Sequence, residues 1–128
     1  MPRERIAMTP AEVTAFLARK RIAVVGTIGA DGAPDGEPAT LLVDGGDVGV
    51  VVPRDGATWR NVARDPRVVV SLEEFPSYAG IKGVTIHGTA VRLADDATGG
   101  VRFRIEAPRF ESFDFSKMKR PPGGGGAA

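Results

Sequence analysis

Arg54 and Arg60 open a segment, Arg54-Asp-Gly-Ala-Thr-Trp-Arg-Asn-Val-Ala-Arg-Asp-Pro-Arg67, whose residue types suit the binding of an anion. A guanidinium presents paired donors to a phosphate. The free N–H groups of a helix's first turn add to them. Thr58 has a hydroxyl for the same purpose. Asn61 reads somewhat better as a structural residue that bonds the turn after it. Trp59, the only tryptophan, has two readings: a ring that stacks on a flat ligand, or an anchor in the core or at a subunit interface, which is the more frequent use.

Other chemistry-bearing residues are sparse. The chain has no cysteine, which excludes disulfides, thiolate metal sites and a cysteine nucleophile. His87 is the only histidine and has no carboxylate near it in sequence. It reads as a partly exposed strand residue; proton donation or haem ligation is the alternative. Glu73 and Glu74 have no adjacent base and read as solvated. Lys82 reads as an exposed edge-strand lysine, or as a group that reaches a second subunit's ligand. No protein nucleophile or metal cluster stands out, so any chemistry belongs to a bound cofactor.

The elements that position these residues follow from pattern. Thr9-Pro-Ala-Glu12 is a capping box with proline at the first helical position, and it predicts a helix to about Arg19 with Val13, Phe16 and Leu17 on one stripe. Strands are predicted over residues 22–28, 37–43 and 48–52, joined by Asp31-Gly32 and Asp44-Gly-Gly-Asp47 turns. The basic turn and a helix over 57–64 come next. Asp65-Pro66 ends that helix, because a residue before proline avoids helical angles. A central apolar strand covers 68–72 and a long strand 81–93. In the latter, Val84, Ile86, Gly88 and Ala90 share a face, and a change of phase at Gly88 predicts a bulge. After a turn over 95–100, Val101, Phe103 and Ile105 alternate with charged residues. Six strands with short turns favour a closed or partly closed barrel. Phe110, Phe113 and Phe115 are too apolar for a free tail and are expected to dock on that barrel.

At 128 residues the chain suffices for one domain, expected over 1–120, with a disordered Gly/Pro tail over 121–128. Lys plus Arg is 17 and Asp plus Glu is 16, a balance that argues against a general nucleic-acid binder. No apolar run is long enough to span a bilayer and no signal segment opens the chain, so a cytoplasmic protein is expected.

The order of these elements, with Arg21-Ile-Ala-Val-Val-Gly-Thr-Ile-Gly-Ala-Asp-Gly-Ala-Pro34, Pro38, Arg60-Asn-Val-Ala-Arg-Asp-Pro-Arg-Val68, Ser77-Tyr-Ala-Gly80 and Gly88-Thr-Ala90, resembles the flavin- and deazaflavin-binding split β-barrel superfamily, which includes pyridoxamine-phosphate-oxidase-like proteins and deazaflavin-dependent reductases. The resemblance spans roughly residues 8–110. It implies a mainly β, six-stranded antiparallel split barrel with two short helices, and a homodimer with cofactor sites at the interface. It implies FMN, FAD or coenzyme F-420 as cofactor, of which FMN or F-420 is favoured here over FAD. The phosphate would sit near residues 54–61, the ring along Pro38, Ala39 and Thr40, and Lys82 within reach of the partner's cofactor. The activity implied is hydride transfer to a small organic acceptor. The alternatives are a non-catalytic binder of a flavin, haem or tetrapyrrole, and a barrel without any cofactor. Two departures bear on the choice. Thr58 stands where many relatives carry lysine, so Arg54 and Arg60 either compensate or the cofactor differs. The stretch from Leu93 to Val101 is shorter than the helix many relatives place there.

Overall fold

A computed structural model describes residues 3–118. The expected tail over 121–128 lies outside the described residues. Strands β1 (Ile22–Ile28), β2 (Pro34–Asp44), β3 (Asp47–Val52), β4 (Arg67–Glu74), β5 (Lys82–Asp95) and β6 (Val101–Asp114) form a closed antiparallel barrel in the order β1-β2-β3-β6-β5-β4. The barrel closes where Val24, Val25 and Gly26 of β1 pair with Ser71, Val70 and Val69 of β4. This is the mainly β, six-stranded antiparallel architecture expected.

Alternation along each strand builds the core. Val25, Leu41, Val50, Val70, Ile86 and Phe103 point inward and are buried. Helix α2 (Pro10–Ala18) lays Phe16 and Leu17 against this core. Its predicted capping box is present: the Glu12 amide donates to Thr9 Oγ1 and the Thr9 amide to Glu12 Oε1. One further helical turn, α1 (Arg3–Ile6), precedes it. Helix α3 (Ala57–Arg64) packs against β1 and β2. By register it sits at the barrel end where β3 exits and β4 begins. Among the described residues no helix is long and apolar enough to cross a membrane.

The bulge predicted at Gly88 is present. The β5–β6 register shifts between His87 and Thr89, where Ala107 and Pro108 of β6 oppose the single residue Gly88 of β5. Ala107 has a φ of 49°, the left-handed region that rarely suits a side chain. Beyond this bulge β6 continues to Asp114, so Phe110 and Phe113 are strand residues rather than a separate docking segment.

Candidate functional site

The turn before α3 is shaped by Asp55, whose φ of 63° is left-handed. Aspartate tolerates that region better than most residues. The twist aims the Asp55 carbonyl at the Arg60 guanidinium, which donates to it. Arg54 bridges in the other direction, to Asp95 at the end of β5. The Arg92 guanidinium first, and Arg54 after it, hold the Asp95 carboxyl below its usual range against the opposing effect of burial. Both arginines expected to face an anion are thus already engaged within the chain.

Beside this turn lies an open groove of about 560 Å³, lined by Ile22, Pro38–Thr40, Val51–Arg54 and Thr98–Gly100. Pro38 and Thr40 are exposed on the outer face of β2, while Ala39 turns its side chain into the core. The groove therefore brings together Pro38, Ala39, Thr40 and Arg54 of the residues singled out in the sequence. Its third wall is the tight turn at residues 96–100, closed by the Asp96 amide on the Gly100 carbonyl at 2.9 Å.

The remaining expected site residues lie elsewhere. Thr58 is 1 % exposed, and its hydroxyl is buried without a hydrogen-bond partner. It points inward and does not reach the groove. Trp59 packs partly buried against the core, and its indole N–H is also without a partner. Asn61 is buried and structural, as the sequence favoured, but its partners are side chains of two distant strands and of its own helix rather than the backbone of the next turn. Its amide donates to Thr27 Oγ1 at 3.0 Å and Asp35 Oδ2 at 2.7 Å, and its carbonyl oxygen accepts from Arg64 at 2.5 Å. Lys82 sits at the opposite end of the barrel from α3, with its ammonium 3.7 Å from Asp114. Strand β5 is paired on both sides, so Lys82 is not on a free edge.

Three groupings escaped the sequence. Glu74 is not merely solvated: Arg19 donates to both of its oxygens at 3.1 Å, tying the end of α2 to β4. His87 does have a carboxylate neighbour, Glu111 on β6, at 2.6 Å from Nε2. Cross-strand pairing supplies it, from a residue far along the chain. The third is Glu37. Its carboxylate accepts from the Ala57 and Thr58 amides, each at 3.2 Å, and so occupies the first turn of α3. The signal was available: Asp35, Glu37, Ala39 and Leu41 share the inward phase of β2, and α3 has no capping side chain at Gly56. Carboxylates on an inward phase need donors.

These observations test the fit of a flavin-type cofactor. The groove offers a flat, mostly apolar wall with open access, which suits a planar ring. The first turn of α3 does not offer a free anion cradle, because Glu37 fills it.

Comparison with known proteins agrees with the architecture. The pyridoxamine 5'-phosphate oxidase family pattern matches residues 9–118. A conserved hypothetical protein of Mycobacterium tuberculosis superposes with a TM-score of 0.79 at 26% identity, covering 100% of this chain and 99% of that one. A FAD-binding protein of Mesorhizobium loti shares the fold with a TM-score of 0.70 at 18% identity, covering 84% and 96%. HutZ, the heme storage protein of Vibrio cholerae, shares it with a TM-score of 0.65 at 16% identity, covering 82% and 93%. Among curated proteins no sequence matches. The pattern covers the whole barrel and both of its larger helices, so the chain belongs to the pyridoxamine 5'-phosphate oxidase family.

Proposed function

We propose that this chain binds a flavin or deazaflavin ring in the groove along Pro38–Thr40 and supports hydride transfer between that ring and a small organic acceptor. The observation that carries the reading is the groove itself: an open, mostly apolar trough on the outer face of β2 and β3 with Arg54 at one end, in a family fold one of whose members is FAD-binding. The ring supplies the redox chemistry when bound. The protein's share is to orient it and exclude water. Pro38 and Thr40 form the wall, and the Thr40 hydroxyl can bond a ring heteroatom. The same reading places a second copy of the chain over the neighbouring apolar face of β1, where Ile22 is 64% and Val24 51% exposed. Ile22 also lines the groove, so covering that face would enclose the ring between subunits.

The test is a fluorescence titration of purified protein with riboflavin, FMN, FAD and coenzyme F-420, alongside an absorption spectrum with haem. Saturable quenching by a flavin or deazaflavin, abolished by Thr40→Arg in a variant of unchanged melting temperature, is expected. Reduction of an acceptor by the reduced complex then separates an enzyme from a carrier. A Soret band with no flavin response would replace the reading with haem binding, and no response to any of these compounds would remove it.

A further inference from the structure

Helix α3 begins with donors that need an acceptor. Gly56 caps it without a side chain, so the amides of Ala57 and Thr58 have no local partner. In a chain that gripped a phosphate there, those amides and the nearby guanidiniums would be left open for it. Here they are not. Glu37 reaches from β2 and takes both amides, one on each carboxylate oxygen. The approach depends on Gly56: a Cβ at that position would lie 2.5 Å from Glu37 Oε2 and 3.2 Å from the Glu37 carboxyl carbon. Three nearby arginines are hydrogen-bonded within the chain, Arg54 to a carboxylate and the other two to neutral oxygens. Arg54 pairs with Asp95, Arg60 with the Asp55 carbonyl, and Arg64 with Asn61. Thr58 buries its hydroxyl and brings no charge. A phosphate brought to these amides would meet a carboxylate within contact distance, and the two like charges repel.

We infer that Glu37 is a built-in anion that fills the cradle of α3 and sets ligand specificity, so that the groove takes a flavin ring whose end nearest α3 is uncharged and gains nothing from a terminal phosphate there. The inference rests on the reading of the groove as a ring site, and it narrows the ligand to the riboflavin type. Glu37 is a specificity residue: it does not touch the reacting ring but decides which substituent can lie beside it.

The experiment compares dissociation constants of riboflavin and FMN, by flavin fluorescence, for the wild-type protein and Glu37→Gln. The isosteric amide keeps an acceptor for one helix N–H and removes the charge. Wild-type protein is expected to bind riboflavin at least as tightly as FMN. Glu37→Gln is expected to tighten FMN by about tenfold while leaving riboflavin nearly unchanged. A wild-type preference for FMN of about tenfold or more, or a ratio that Glu37→Gln does not move, overturns the inference. The wild-type ratio needs no variant and decides the case if Glu37→Gln does not fold. If neither flavin binds the wild-type protein, the ring-site reading fails by itself, and inorganic phosphate decides the role of Glu37. A melting temperature raised by phosphate over chloride of equal ionic strength in Glu37→Gln, and not in wild type, upholds the filled cradle. Equal responses overturn it.

Discussion

Two side chains of α3 show how a residue's chemistry is set by where its helix faces. Thr58 and Asn61 are one turn apart and both buried, yet one is orphaned and the other saturated. A buried hydroxyl with no partner costs on the order of 1–3 kcal/mol of desolvation. Thr58→Val keeps the shape and removes that penalty, so it should stabilise the fold by about 1 kcal/mol in urea unfolding. A loss of stability would show that the hydroxyl has a partner. Asn61→Ala goes the other way. It strips partners from Thr27, Asp35 and Arg64 together, and should cost about 2–3 kcal/mol in the same assay. The sequence made a structural Asn61 the slightly better choice, as a side chain that bonds backbone groups of the following turn. It could not name Thr27 or Asp35, since those contacts exist only once β1 and β2 lie under α3.

At the level of elements, what was legible was what is local. The capping box of α2, the helix at 57–64, the hairpin turns and the phase change at Gly88 each depend on neighbours in sequence, and each is present. The continuation of β6 was not legible, because Ala107-Pro108 reads as a strand end. Proline donates no ladder hydrogen bond and is tolerated at a bulge, and here the bulge opposite Gly88 absorbs it. Gly88 makes that possible: a Cβ there would lie 2.5 Å from Ile105 Cγ2 and 2.7 Å from the Glu106 carbonyl. Gly88→Val should therefore cost about 2 kcal/mol or more by thermal or urea unfolding, the range of overpacking in a dense interior. The contacts of α2 with the rest of the chain include an ion pair at each end, Glu12–Lys117 at its start and Arg19–Glu74 at its close. Glu12 is held down from 4.5 to about 2, first by Lys117 and then by the Thr9 amide. A folded-state value below the unfolded one gives stability that is complete above about pH 4.5 and is lost as pH falls toward 2. Asp65, lowered to about 2 by Arg67, adds a loss of the same sign. Glu12→Gln should therefore flatten the decline of melting temperature across this window without abolishing it. An unchanged pH profile would show that the Glu12–Lys117 pair does not persist in solution.

On the scale of the whole molecule, barrel closure decides which surfaces remain to be covered. Pairing of β1 with β4 joins residues more than forty apart in sequence, and no local pattern specifies it. Once closed, the barrel leaves β1 with an outward row of Ile22, Val24 and Ile28, next to Pro38 on β2 and Val69 on β4. The sequence alternation sorts β1 into two faces but makes both apolar, so it cannot say which is core. The structure does: Ala23 and Val25 are 2% and 1% exposed, while Ile22 and Val24 stay open. An apolar sheet face that adjoins a groove is costly to leave in water, and a second copy of the same face is self-complementary under two-fold symmetry. Val24→Arg tests this without touching the core, since the side chain already points outward. Wild-type protein should run as a dimer by light scattering at micromolar concentration, and Val24→Arg as a folded monomer. If the ring is enclosed between subunits, the monomer should also bind riboflavin at least about tenfold more weakly. A wild-type monomer would remove the paired-barrel proposal, whereas a Val24→Arg monomer with undiminished affinity would keep the dimer and place the whole ring site within one chain.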